Sequence, residues 1–321
     1  MNVQRRILIT GAAGQDGHYL SELLLAEGSI VYGLEPRRGH EKPMPLGVIS
    51  IDGDVTDFPS LFRAFAIANP DEVYNLAGQS HVLTSFKSPI QTWNVNAVGV
   101  INCLELCRSY KCRFYQASSS EMFGNTPGPL NEQSQFTPLS PYAIAKLAAH
   151  HAVTMWREAY GVWAVAGILF NHESPLRGAD FVTQKISLAA ARVEIGMPSN
   201  LEISNTTSSR DWGHARDYVR AIVMMMRQVE PTGYVIATGE TRTVADFIAE
   251  AEQVIRRPIV FTQSQKHRRP FELKALVADP SRARNELGWE PTITFKELVY
   301  EMVHDQIGKL QKALAGGDNS K

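Results

Sequence analysis

Near its N-terminus the chain commits to one kind of fold. Ile7-Leu8-Ile9-Thr10 makes a short apolar strand that breaks into Gly11-Ala-Ala-Gly14-Gln-Asp-Gly17, and a helical pattern follows with Tyr19, Leu20, Leu23 and Leu24 inward. Strand, glycine turn and helix in that order open a parallel sheet with crossover helices. Glycine lets a backbone approach a pyrophosphate without interference from Cβ. The helix start adds free N–H groups and positive potential. Gly11, Gly14 and Gly17 are therefore candidate dinucleotide contacts. Their spacing is one residue looser than the common fingerprint, so the flanking strand and helix carry the inference.

The same alternation continues. A second strand, Ile30–Leu34, ends at Glu35-Pro36-Arg37-Arg38. An acid here suits the ribose diol of NAD, whereas arginines suit the 2′-phosphate of NADP. The arginine pair favours NADP, and Glu35 leaves NAD open. A third strand, Val48–Ile51, leads to Asp54 and Val55, placed to touch an adenine ring, and to Asp57, expected to cap the helix of Leu61, Phe62 and Phe65. The fourth, Glu72–Leu76, runs into Ala77-Gly78-Gln79-Ser80-His81, small residues at a strand's carboxyl end that again mark a cofactor crevice. His81 reads as a hydrogen-bonding loop residue. A helix from Ile90 to Tyr110 follows, with Asn96 on the side toward the crevice. Strands at Phe114–Ser118 and Trp163–Phe170 complete a doubly wound parallel α/β sheet.

Between those two strands lie the groups with chemistry. Phe114-Tyr-Gln-Ala runs into Ser118-Ser119-Ser120-Glu121, and Ser140-Pro141-Tyr142-Ala-Ile-Ala-Lys146 reads as a capped helix start. Residues four apart share a helix face, so a phenol and an ammonium are presented together. A neighbouring cation favours the phenolate. The pair is suited to taking a proton from a sugar or alcohol hydroxyl while a hydride leaves the same carbon. The proline-punctuated stretch from Pro127 to Leu139 is expected to be a flap over the substrate.

Composition narrows the rest. With 44% hydrophobic residues and a formal net charge of -1 without charge blocks, the chain has ample core and no polyanion-binding signature, so no nucleic-acid partner is expected. No stretch approaches the ~18 apolar residues of a membrane span. Cys103, Cys107 and Cys112 read as buried thiols rather than metal ligands, and a cytoplasmic setting is expected. Beyond Pro175 the pattern changes to helix 181–194, a polar run from Ser204 to Ser209, a helix from Ala215 carrying Met224, Met225 and Met226, strand Tyr234–Ala237, helix Val244–Ile255, strand Ile259–Phe261 and two closing helices. The expected division is a dinucleotide-binding domain over 1–172, with 213–238 returning to it, and a smaller α/β substrate lobe over 173–212 and 239–321. The loop cluster Lys266-His267-Arg268-Arg269 is fit to clamp a diphosphate.

These residues carry a resemblance. The chain resembles the extended short-chain dehydrogenase/reductases, and within them the GDP-mannose 4,6-dehydratases, across almost its whole length. Gly11-x-x-Gly-Gln-Asp-Gly17, Tyr74-Asn-Leu76 and Gln79-Ser80 match, and the most specific runs are Gly167-Ile-Leu-Phe-Asn-His-Glu-Ser-Pro-Leu-Arg-Gly178, Phe181-Val-Thr-Gln-Lys185 and Arg210-Asp-Trp-Gly213. The resemblance implies Tyr142 and Lys146 as a catalytic pair, Glu121 as the base at C5 of a hexose, and Ser119 where the family has threonine. It implies Gln15, Asp16, Leu76, Ala77, Gln79, Leu169, His172 and Arg177 at the cofactor. Ser80, Asn171, Phe181, Val182, Lys185, Arg210, Arg269 and Glu272 fall at a GDP-sugar, and Arg37 and Arg38 at the NADP phosphate and subunit contacts. Glu35 stands in place of an apolar residue. The segments after Arg38 and before Arg269 are shorter than in the family, which leaves a homodimer as open as a homotetramer, and leaves the sugar unfixed. A reductase of GDP-4-keto-6-deoxymannose and a dehydratase of a GDP-heptose are the neighbouring readings.

Overall fold

The computed structural model describes residues 4–35, 43–264, 270–273 and 275–317. The chain runs β1 (Arg6–Thr10), α1 (Gln15–Ala26), β2 (Ile30–Glu35), β3 (Ile49–Asp52), α2 (Phe58–Ala68), β4 (Glu72–Asn75), α3 (Val82–Lys87), α4 (Pro89–Trp93), α5 (Gly99–Tyr110) and β5 (Arg113–Ser119). After a 3₁₀ turn over Ser120–Phe123 come α6 (Pro141–Tyr160), β6 (Ala164–Leu169), β7 (Asn171–Glu173), α7 (Val182–Glu194), β8 (Leu201–Ile203) and β9 (Ser209–His214). Then follow α8 (Ala215–Met226), β10 (Val235–Ile236), β11 (Thr241–Thr243), α9 (Val244–Ile255), β12 (Phe261–Gln263) and α10 (Phe295–Gly317).

The main sheet has seven strands in the order β10-β6-β5-β4-β1-β2-β3, every pair parallel. Its strands other than the exposed edge β3 are buried along most of their length because helices cover both faces. On one face α1 and α8 bury Leu20, Leu24, Val219, Met225 and Met226. On the other α2, α5 and α6 bury Leu61, Phe65, Leu104, Val153 and Trp156, together with the three cysteines. Strand order reverses between β1 and β4, so a crevice opens beyond their carboxyl ends, where such sheets bind ligands. A separate core of Ile186, Ala190, Phe247, Ala251, Val299 and Met302 joins α7, α9 and α10. Two small sheets, β11-β9-β7 and β12-β8, flank it.

Four local readings differ from the structure. The helix expected from Ile90 to Tyr110 is α4, a π-helical segment over Asn94–Val98, and α5. Asp57 stands at the N-cap of α2 without a side-chain cap bond; Ser60 instead donates to the Asp57 carbonyl at 2.9 Å. The strand expected at Ile259–Phe261 is β12, a wholly exposed edge paired with β8, whose register sets it two residues later. One of the two closing helices is a single π turn, Ala283–Leu287. Ser140, by contrast, caps α6 as its sequence implies, accepting from Ala143 N at 3.0 Å.

Candidate active site

A cleft of about 860 Å³ lies over the carboxyl ends of β1, β4, β5 and β6 and continues between the sheet and the α7–β8–β9 region. Its floor is bare backbone. Gly11 has φ +74°, and a Cβ there would sit 2.8 Å from Ala77 N, so only glycine lets the turn lie against β4's exit. A side chain on Gly17 would drive into the backbone of Gly11 and Ala12. Helix α1 starts after Gly14, with no side-chain cap on its first N–H groups. Open donors at a helix start, approached by glycine, fit the pyrophosphate of a dinucleotide. Leu76, Ala77, Gln79, Asp54 and Val55 line the same end. The β4 exit loop is held by Asn96, which accepts from Gln79 N and donates to Gln79 O, both at 2.9 Å. Asn96 sits in the π-helical segment, and the break in the expected helix is thus where the crevice wall gains its clamp.

Across the turn stands a charged pair from residues 156 apart in the sequence. Asp16 Oδ2 lies 2.9 Å from His172 Nε2, and His172 Nδ1 lies 2.7 Å from the Phe170 carbonyl. Both ring nitrogens face acceptors, which the doubly protonated ring satisfies. Burial opposes charge on both groups, but their mutual attraction prevails: the His172 imidazole is held above its ordinary range and the Asp16 carboxyl below its own. The ring also stacks on Tyr218, centroids 4.5 Å apart. Gln15 donates to the His172 carbonyl at 3.1 Å and accepts from Ser174 at 2.8 Å. The glycine turn is thereby tied to β7.

Ser119, Glu121, Tyr142 and Lys146 meet at the middle of the cleft. Strand β5 delivers Ser119, the 3₁₀ turn delivers Glu121, and the first turn and a half of α6 delivers the phenol and the ammonium. The electrostatics differ from the sequence expectation. Burial pushes the Tyr142 phenol up to about 12, against a lowering hydrogen bond from Ser119, and burial brings Lys146 down to about 8. Lys146 Nζ stands 5.8 Å from the Tyr142 ring centroid and donates to the Ala117 carbonyl at 2.9 Å. In the protein alone the ammonium therefore does not dominate the phenol; desolvation does.

The far end is built from side chains on separate loops. Ser80, Asn171, Phe181, Val182, Lys185, Arg210 and Glu272 all border the cleft. Arg177 lies flat on Phe181, 3.5 Å from the ring centroid, and pairs with Glu173 at 3.0 Å. Arg210 is buried and donates to the carbonyls of Ser209 and Leu273, at 2.8 and 3.2 Å. His81 borders the cleft with its Nδ1 2.8 Å from Thr84 Oγ1. Among the described residues Leu34, not Glu35, reaches the cleft; the Glu35 carbonyl accepts from Gly53 N at 2.6 Å. Arg37, Arg38 and Arg269, with the rest of the basic cluster, lie outside the described residues. The sequence reading left Glu202, Ser204, Asn205 and Ser208 unassigned, yet they line this end. The dense run of hydroxyls and amides between Ser204 and Ser209 was the available signal.

Comparison with known proteins converges on one group. The family model described as GDP-mannose 4,6 dehydratase matches residues 8–302. GDP-mannose 4,6 dehydratase 1 of Arabidopsis thaliana is 42% identical over 96% of this chain and 92% of its own length. The GDP-mannose 4,6-dehydratase of Sinorhizobium fredii is 41% identical over 97% and 99%. Among solved structures, the UDP-glucose 4-epimerase of Thermus thermophilus in complex with NAD superposes with a TM-score of 0.86 at 27% identity, covering 94% of this chain and 99% of its own.

Proposed function

The chain belongs to the GDP-mannose 4,6-dehydratase family, and from that premise we propose that it is a hydro-lyase converting GDP-mannose to its 4-keto-6-deoxy product, with no net oxidation or reduction. The observation that carries the reading is the meeting of an acid with the phenol. Glu121 lies near enough to Tyr142 to raise the cost of ionising it, and Ser119 eases the ionisation of the same phenol. Oxidation of a carbinol needs no second carboxylate. Elimination of water across C5 and C6 does.

A bound nicotinamide cofactor would supply the hydride acceptor for C4 and the hydride donor for C6. Tyr142, as its phenolate, takes the O4 proton. Once C4 is a ketone, the adjacent C5–H bond is acidified and Glu121 removes its proton. The C6–O bond then breaks, and an acid of the Ser119/Glu121 group protonates the departing hydroxyl so that water leaves. The proton that Tyr142 took from O4 balances the one delivered to C5, which completes the saturated product. Lys146, fixed on the Ala117 carbonyl, adds positive charge beside the phenol. Gly11, Gly14, Gln15, Asp16, Gly17 and Asn96 are the residues proposed to cradle and frame the cofactor. Asn171, Lys185, Arg210 and Glu272 are proposed to hold the GDP group. Preference for NADP over NAD is proposed on the Arg37-Arg38 pair. The two-part division at 172–173, with the 213–238 return, is proposed on the separate cores. Adjacent helices α4–α6 expose Ile90, Trp93, Ile101, Ile144 and Met155, an apolar face proposed to pair with a second copy.

The test is direct. Protein supplied with GDP-mannose, catalytic NADP and no reductant is expected to yield a product lighter by one water that shows the base-induced absorbance of a 4-ketone. Turnover seen only with a 4-keto sugar plus NADPH would replace the dehydratase by a reductase.

A further inference from the structure

Three residues of α6 meet three consecutive residues of β5. Tyr142, Lys146 and His150 are spaced four apart and form one stripe of the helix. Ser119 stands by the Tyr142 phenol and eases its ionisation, Lys146 bonds the Ala117 carbonyl, and Ser118 Oγ lies 2.9 Å from His150 Nδ1. The first two contacts belong to groups that border the cleft. His150 does not border it; it stands behind the wall that Ser118 forms.

From there His150 braces both sides of the acid. Ser118 immediately precedes Ser119, the proposed hydroxyl. Phe136 packs edge-on against the imidazole at 5.4 Å and stacks at 5.0 Å on Phe123, the last residue of the turn that carries Glu121. A half-buried imidazole is costly unless hydrogen-bonded, and an apolar residue would fill the space more cheaply. Burial also brings His150 down to about 4, so the ring stays neutral and keeps one bonding pattern through the neutral pH range.

Resting on the dehydratase reading above, we propose that His150 is a positioning residue: through Ser118 and Phe136 it fixes the exit of β5 so that Ser119 and Glu121 stay aimed at the carbons Tyr142 addresses. Its effect belongs in the rate of the chemical step rather than in substrate affinity, because His150 borders none of the cleft.

The test uses His150→Phe, His150→Asn, Ser118→Ala and the His150→Phe/Ser118→Ala double variant, each as the full chain with cofactor. His150→Phe and Ser118→Ala are each expected to lower kcat about 5- to 50-fold with KM for GDP-mannose within about twofold. The double variant is expected to be no slower than the worse single one, because both remove the same contact. Asparagine places an amide atom near the position of Nδ1 and is expected to restore most of kcat. Wild-type kcat in folded His150→Phe, losses that multiply in the double variant, or an asparagine variant as slow as phenylalanine would each overturn the proposal. Should His150→Phe fail to fold, Ser118→Ala alone decides between a kcat loss and none. A second readout does not depend on turnover. The Tyr142 titration, seen in phenolate difference spectra against Tyr142→Phe, is expected to move to higher pH in His150→Phe as Ser119 shifts away from the phenol. An unmoved midpoint overturns the proposal even if wild-type protein proves inactive on GDP-mannose, an outcome that would itself refute only the activity reading.

Discussion

The two ends of the cleft are made in different ways. At the β1 end, main chain does most of the work: glycines without Cβ, an uncapped helix start, and a loop clamped by Asn96. At the α7–β8–β9 end, side chains do it: Lys185, Arg210, Glu272 and the amides and hydroxyls of 204–208 are brought from loops and helices far apart in sequence. A backbone floor fits a constant ligand and tolerates no added atom. A side-chain wall can be altered one contact at a time, and each change tunes affinity rather than abolishing it. The first end suits a cofactor shared by many enzymes, and the second suits the substrate that distinguishes them.

Gly17→Ala presses hardest on this contrast. The added methyl meets main chain on two sides with no flexible side chain to yield. Overpacking of that kind costs about 1–3 kcal/mol, and here the displaced atoms belong to the backbone floor proposed for the dinucleotide. Titration of the variant by NADPH fluorescence is expected to show about 5- to 150-fold weaker binding, with GDP affinity by calorimetry within about threefold of wild type. Equal losses of both ligands would dissolve the distinction between the two ends.

Lys185→Ala probes the other end with a smaller effect. Removing one charged contact to a diphosphate is expected to raise KM for GDP-mannose about 10- to 50-fold while kcat stays within about threefold. A large fall in kcat with unchanged KM would move Lys185 from binding to chemistry.

The same contrast explains what was legible in the sequence. The glycine turn could be read because strand, turn and helix are consecutive, and the Tyr142–Lys146 pair because helical spacing brings them together. The tuning of that pair could not be read. Spacing shows that a lysine is near a tyrosine, whereas burial, a property of the folded chain, pushes the phenol up and the ammonium down. Ser118 and His150 are 32 residues apart, and their contact follows from how β5 lies along α6, which no local pattern encodes. The π-helical segment escaped for a related reason. Its apolar residues keep a helical period across Asn94–Val98, while Asn96 turns to bond the backbone of Gln79. The parallel, doubly wound character of the main sheet followed from the βα alternation, but the β12 boundary did not, because an exposed edge has no alternation to mark it.

The finest test concerns the tie between the two ends, the Asp16–His172 pair, which joins the glycine turn to β7. His172 is held above its ordinary value of 6.5 and Asp16 below its ordinary 3.8. A raised histidine contributes stability that is complete below its unfolded pKa and is lost as pH rises through the folded one. A depressed aspartate contributes stability that is complete above its unfolded pKa and is lost as pH falls through the folded one. Both contributions are therefore whole only between roughly pH 4 and 6.5. His172→Gln takes the imidazolium away from Asp16, and against wild type it is expected to lose about 1–2 kcal/mol, a few degrees in Tm, near pH 5.5. The gap should narrow above neutral pH, as the wild-type imidazole releases its proton and the charge attraction between the two side chains is lost. Melting curves of both proteins across that range measure it. A gap that stays constant into alkaline solution would mean that the stacking of His172 on Tyr218, not its charge, is what holds the turn to β7.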